Sequence, residues 1–269
     1  MIRGHRWEPS GGLNHVRAGG GEPLLLLHSL GGSLIQWSPV LERLAADREV
    51  VAVDMPGFGE SPPLPDGIEP SAANLAAAVL AFHESLGLGR PHVAGISLGG
   101  WVALECARQN RASSVVGVCT AGFWRRAPEN SSNRLNRARQ AGRALLPALG
   151  PMMSTAAGRR RALGRFVHHP ERLSPAEAQS MARAYVTAPA YSRASDLMRA
   201  GQVGPLDDVK VPVTLAWAEF DHVVRSRPLG DGALPKRVRQ VELPDCGHVP
   251  TWDDPDLVAR VVLEGTGGV

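Results

Sequence analysis

Cysteine is scarce in this 269-residue chain, and its placement excludes two whole classes of small fold. Cys106, Cys119 and Cys246 give an odd count at wide spacing, without a C-x-x-C pair. That pattern supports neither a disulfide framework nor a cysteine zinc site. Long apolar runs are also missing: none approaches the ~20 residues that a spanning helix needs. The opening stretch MIRGHRWEPSGGL lacks the apolar centre of a secretory signal. A reducing, cytoplasmic setting is therefore the expectation. No internal repeat or low-complexity linker interrupts the chain. No basic stripe interleaved with aromatic residues is present, which argues against nucleic acid as a partner.

What is present is an ordinary globular balance, 43% hydrophobic and 20% charged residues. A chain of this size can bury roughly 75% of the surface its unfolded form exposes, so it needs no staples. Its net charge of +3 is unevenly spread. Residues 123–200 hold 14 arginines against 4 acids, a surplus of +10 that leaves the remainder at −7. The plain reading is a set of solvated, arginine-rich helix surfaces. The alternative is an attraction for an anionic substrate or an acidic carrier protein.

Short bulky runs bounded by Gly and Pro recur at 23–28, 50–54, 91–96 and 113–120. They are continuously apolar, as strands buried on both faces of a parallel sheet are. Helical patterns at Leu34–Ala46, Ser71–Leu86 and Leu98–Gln109 lie between them. This alternation predicts an α/β fold, a doubly wound and mostly parallel sheet. From 123 to 204 no strand is predicted. Arg, Ala and Leu recur at helical spacing, cut by Pro147, Pro151, Pro170, Pro175 and Pro189. One helix is entered at Ser174, with Pro175 in its first turn and Glu177 three residues on, the pattern of a capping box. Strands resume at 211–218 and 237–243, and a helix over Pro255–Glu264 closes the chain. The organisation expected is a core in two parts, 1–122 and 205–269, around an all-helical insertion at 123–204.

One motif carries chemistry. "GISLGG", Gly95–Gly100, has the form G-x-S-x-G between a predicted strand and a predicted helix, the context the motif requires. Small residues let the chain turn sharply and present Ser97 at the carboxyl edge of the sheet. A serine hydroxyl alone is a weak nucleophile and needs a base oriented by a third group. Asp221, in "EFDHVV", and His248, in "CGHVPTWDDPD", each follow a predicted strand, in the order acid then histidine. Both belong on the same rim, where ligands bind in open α/β sheets.

These stretches, with "HSLGGS" and "DMPGFGESP", resemble the α/β-hydrolase superfamily in order and spacing over nearly the whole chain, in its serine hydrolase branch with a helical cap (esterase- and lactonase-like). The resemblance implies Ser97 as nucleophile, His248 as general base then acid, and Asp221 as the orienting acid. It implies the backbone N–H groups of Leu30 and Leu98 as oxyanion donors. The reaction implied is cofactor-independent cleavage of a carboxylic ester, lactone or thioester through an acyl-enzyme. The substrate is a small molecule with an apolar acyl part, and no cofactor or metal is called for. Other cofactor-free chemistry on the same residues (a perhydrolase, a carbon–carbon hydrolase or a lyase) stays open, as does a binding or cyclase protein on a hydrolase scaffold.

Glu219 stands two residues from Asp221 as an alternative acid. Asp54 ends a strand but sits in a turn motif that reads as structural. His222 reads as a surface or pocket residue. His83, His92, His168 and His169 have no motif around them and read as solvated or core-satisfied. Ser29, Trp124 and Val249 are candidate pocket residues, with Met152, Met153, Phe166 and Tyr185 as further possibilities. Ser29 replaces the glycine that the resemblance leads one to expect after His28. That leaves two readings: an ordinary backbone at Ser29, or a polar contact made by its hydroxyl.

Overall fold

The computed structural model describes residues 12–124, 132–224, 234–235 and 237–267. Residues 1–11 of the opening stretch and residues 125–131 of the basic segment therefore lie outside the described residues. Among those described, seven strands form one sheet in the order β1-β3-β2-β4-β5-β6-β7. β1 (His15–Gly19) is antiparallel to β3 (Glu49–Val53). β2 (Pro23–Leu27), β4 (His92–Ile96), β5 (Ser114–Val118), β6 (Val213–Ala218) and β7 (Val238–Leu243) run parallel to their neighbours.

Alternate residues along each central strand feed two different cores. Leu24 and Leu26 face one side, with Val50, Ala52, Ala94 and Ile96, and meet α1 (Ser38–Ala45) and α9 (Pro255–Gly265). Leu25 and Leu27 face the other, with Val51, Val53 and Val93, and meet α2 (Ala72–Ser85) and α3 (Leu98–Arg108). All four leucines are fully buried. Helices on both faces explain why the strands read as unbroken apolar runs rather than alternating ones.

Among the described residues, five α-helices fall between β5 and β6: α4 (Ser132–Ala144), α5 (Leu149–Ser154), α6 (Ala156–Leu163), α7 (Pro175–Thr187) and α8 (Tyr191–Ala200). No strand occurs among the described residues of 123–204. The capping box at Ser174 forms: Glu177 N–H donates to Ser174 Oγ at 3.3 Å, and Ser174 N–H donates back to Glu177 Oε2 at 2.8 Å.

Two expectations need correction. The sequence pattern gives no sign of β1. It is an edge strand with Arg17 and Gly19 exposed, so it carries half the apolar signal of the central strands. The helix predicted over Leu34–Ala46 is a 3₁₀ turn, Leu34–Trp37, followed by α1. Pro39 lies in the first turn of α1, where a missing N–H costs nothing, and so marks a helix start rather than its middle. No helix among the described residues is long and apolar enough to cross a membrane.

Candidate active site

Ser97 joins β4 to α3 with φ 57° and ψ −112°, a conformation that side chains other than glycine rarely adopt. Its neighbours permit the turn. A Cβ at Gly95 would sit 2.1 Å from Gly99 O, and one at Gly99 would sit 2.5 Å from Leu27 O and 2.6 Å from His28 O. Gly99 thus lets the start of α3 press against the end of β2, which delivers the loop 28–33. Hydrogen bonds fix the turn on its other side. Ser97 N–H donates to Val118 O at 2.8 Å, and Ser97 O accepts from Ala121 N–H at 3.1 Å. The strain is held by backbone contacts on both sides.

The loop after β2 is ordered by His28. Met55 N–H donates to its Nε2 at 2.9 Å, so Nδ1 carries the proton and donates to Ser29 O at 2.8 Å. Burial comes first among the influences on this imidazole and pulls its pKa below the ordinary value, against Asp54 and the Ser29 carbonyl. Ser29 satisfies both readings made from the sequence. It is not among the residues with positive φ, and its hydroxyl accepts from Gln36 Nε2 at 2.9 Å while its N–H donates to Gln36 Oε1 at 2.9 Å. The left-handed residue of the loop is instead Gly31, at φ 73°. A Cβ there would strike the rings of Tyr191 at 2.8 Å and Tyr185 at 3.0 Å. Among the described residues, neither Leu30 N–H nor Leu98 N–H donates to a protein acceptor. Leu98 is the first residue of α3, where helix N–H groups have no internal partner and favour negative charge.

The loops after β6 and β7 bring Asp221 and His248 together. His248 Nδ1 lies 2.8 Å from Asp221 Oδ2, and the two side chains are only 3% and 8% exposed. Asp221 Oδ1 accepts from Val223 N–H at 2.7 Å and Val224 N–H at 2.8 Å. Burial alone would raise the Asp221 pKa. The His248 interaction and the two amides outweigh it and hold the carboxyl below its ordinary value. An ionised Asp221 only accepts, so Nδ1 of His248 donates and Nε2 is left as the basic nitrogen. Cys119, which follows β5, has its sulfur within 4.8 Å of the facing Asp221 and His248 atoms. Ser97 is bonded to the residue just before it. Burial, then Asp221, pushes this thiol well above its usual pKa, so it stays protonated.

The alternatives separate cleanly. Glu219 Oε2 accepts from Asp245 N–H at 3.0 Å and does not reach the histidine. Both Asp54 oxygens serve backbone and side-chain donors: Leu34 N–H at 2.6 Å, Asn14 Nδ2 at 2.7 Å and Glu60 N–H at 2.9 Å. His222 is exposed. His83 meets Gly89 O, and His92 meets Ser114 Oγ.

A cavity of about 220 Å³ opens from Ser29–Gly32 beneath α5, α6 and α7. Met152, Met153, Phe166 and Tyr185 line it, with Leu149, Leu163 and Met181. Trp124 and Val249 are not among the residues that line it. Trp124 packs edge-on to Trp101 at 6.3 Å and donates to Gly201 O at 3.1 Å. Val249 is fully buried and donates its N–H to Phe166 O at 2.7 Å. Sequence reasoning missed Gln36 and Asp253. The buried Asp253 carboxylate accepts from Gly247 N–H at 2.8 Å, His168 N–H at 3.1 Å and His169 N–H at 2.7 Å. Its place in "WDDPD" is the one available signal; Gln36 has none.

A serine on a strained strand-to-helix elbow, with a buried Asp–His pair on the same rim of a parallel sheet, defines a hydrolase of the α/β class. The comparisons with known proteins agree: a family model for the alpha/beta hydrolase fold matches residues 22–255, so the chain belongs to that family. It is 28% identical to a putative carbamate hydrolase of Azorhizobium caulinodans over 93% of each chain. It is 39% identical over 114 residues to a dihydrolipoyllysine-residue acetyltransferase component of the acetoin cleaving system of Cupriavidus necator, a match to 41% of this chain and 30% of that protein. The chain spans less than a third of the length of several curated relatives it matches. Among solved structures, an enol-lactonase from Burkholderia xenovorans superposes with a TM-score of 0.74 at 22% identity, covering 95% of this chain and 96% of that one. An esterase from Thermogutta terrifontis gives 0.69 at 21%, covering 94% and 92%. At that identity the likeness shows the fold.

Proposed function

We propose that the protein is a cofactor-independent serine hydrolase that works through an acyl-enzyme on Ser97. The observation that carries this reading is the Asp221–His248 hydrogen bond, which leaves Nε2 as a base on the rim where the elbow presents Ser97. His248 takes the serine proton as Oγ attacks the acyl carbon, then returns it to the leaving group. The negative oxygen that forms is stabilised by the N–H groups of Leu30 and Leu98. Water, activated by the same histidine, releases the acid. Asp221 fixes the imidazole tautomer and stabilises its charged form. Among the described residues the Ser97 hydroxyl makes no hydrogen bond. Such bonds often tighten only once substrate is bound.

Residues 123–204 act in this reading as a cap whose apolar wall seats the acyl group. The cavity is smaller than the roughly 300–1,000 Å³ of sites for drug-sized ligands, which favours a short acyl group. Esters, lactones, thioesters and carbamates share the chemistry; a serine at the elbow is the wrong nucleophile for epoxide opening through an aspartyl ester. Exposed Arg160, Arg161 and Arg165 give an anionic substrate or acidic carrier protein a place to approach. The test is labelling by a fluorophosphonate, with burst kinetics on aryl esters and carbamates of increasing acyl length. Wild type labels and shows a burst, whereas Ser97→Ala does neither. Equal labelling of both rejects Ser97 as the nucleophile.

A further inference from the structure

His168 and His169, unassigned above, turn their rings onto one carboxylate across the seam between the helical segment and the loop that leads to His248. His168 Nε2 lies 3.3 Å from Asp245 Oδ1, and His169 Nε2 lies 2.9 Å from Asp245 Oδ2. One ligand atom from each of the three residues falls within 4.8 Å of the others. The cluster is held from outside itself. Asp253 binds the backbone N–H of both histidines. The His168 ring lies flat on Phe220 at 4.1 Å and 6°. Asp245 adopts φ 54°, with its N–H on Glu219. The remaining nitrogen of His169, Nδ1, is 3.4 Å from Glu171 Oε1.

We propose that His168, His169 and Asp245 form a binding site for a divalent transition-metal ion of the zinc type. Two imidazoles and one carboxylate are a donor set for zinc or its neighbours, and they leave a fourth position for water. Bonds of ~2.0–2.1 Å in a tetrahedron space the ligands about 3.3 Å apart, and the two nitrogen-to-carboxylate separations, 3.3 Å and 2.9 Å, are near that value. Glu171 behind His169 is the partner that a metal-bound imidazole uses to fix its tautomer. Local charge favours a cation: Asp245, Glu171, Glu219 and Asp253 outnumber Arg160 and Arg172. Binding needs both imidazoles neutral and displaces any proton they hold. The ion joins the segment carrying Phe166, a wall of the cavity, to the loop carrying His248. It stands outside the reaction and positions the base loop.

The test is calorimetric titration of the metal-stripped full chain with ZnCl₂, with MgCl₂ alongside and thermal unfolding as a second readout. The one competing donor set that holds a thiol among the described residues, Cys119 with Asp221 and His248, is buried, and the His248→Ala and cobalt arms distinguish it. The expected result is one equivalent of zinc bound, no magnesium, and a raised unfolding temperature. Asp245→Asn and His169→Ala each weaken zinc by at least about tenfold, while His248→Ala binds it as wild type does. Cobalt in place of zinc gives a visible band on wild type without thiolate charge transfer, a readout that needs no variant. The proposal is overturned if wild type binds no zinc saturably, if magnesium binds equally, if His248→Ala rather than His169→Ala abolishes binding, or if the cobalt spectrum shows a thiolate. In the first case the histidines are simply salt-bridged to Asp245.

Discussion

The two halves of the site are held in different ways. The elbow half, which carries Leu30 and Leu98 as the proposed oxyanion donors, is positioned by main chain against main chain, because Gly95 lacks the Cβ that would keep α3 off β4 and Gly99 the one that would keep it off β2. The base half, Asp221 and His248, is positioned by carboxylates that accept from side chains and from backbone N–H groups. Glycine contacts are indifferent to pH and salt but allow no substitution. Carboxylate contacts tolerate change in shape but depend on ionisation.

This contrast can be attacked from either side, and the effects rank. Asp221→Asn lowers kcat by on the order of 10⁴, because the amide no longer fixes the imidazole tautomer. Glu219→Gln stays within about twofold, and equal losses in the two would show that loop shape matters rather than the pairing. Thermal unfolding carries the pH arm. The Asp221 carboxyl lies below its ordinary value, so its contribution is complete above about pH 4 and is lost as pH falls through the native value. The gap between wild type and Asp221→Asn therefore narrows in acid.

Gly99→Ala comes next. Its Cβ meets the Leu27 and His28 carbonyls, costs about 1–3 kcal/mol of stability and displaces a donor, for a loss of about 10²–10³ in kcat. Steady-state kinetics of the folded variant checks this, and a pH-dependent defect would break the comparison. Asp253→Asn weakens the bonds to Gly247, His168 and His169, costs about 1–3 kcal/mol and lowers kcat about tenfold without preventing acylation. Ser29→Gly is the mildest. It removes the Oγ acceptor from Gln36, costs about 1 kcal/mol and leaves kcat within a few-fold; chemical denaturation measures it.

How much of this was legible in the sequence follows the same division. Main-chain devices leave a local signature. Gly95, Ser97 and Gly99 are adjacent in sequence because the turn is local, and buried strands read as unbroken apolar runs. Asp221 and His248 could be placed because each follows its strand directly. Gln36 could not, since its partner Ser29 is seven residues away across a loop and a 3₁₀ turn. Nor could Asp253, which works on a segment more than eighty residues away in sequence. The packing of Trp124 on Trp101 was not legible, because an aromatic at the start of the helical segment looks the same whether it faces a cavity or another ring. The edge strand β1 was missed because exposure on one face halves its apolar signal.

The close approach of Gly31 to Tyr185 and Tyr191 has a consequence for how this enzyme can diversify. The Tyr185 ring both lines the cavity and backs Gly31, so under the proposed function one surface is a wall for the acyl group and the brace behind an oxyanion donor. Selection for a bulkier substrate that trims Tyr185 also loosens the Leu30 amide, so specificity and rate change together. Paired substitutions at Gly31 and Tyr185 are expected to be strongly non-additive. Libraries that randomise both positions at once will reach variants that stepwise mutation passes through only as inactive intermediates.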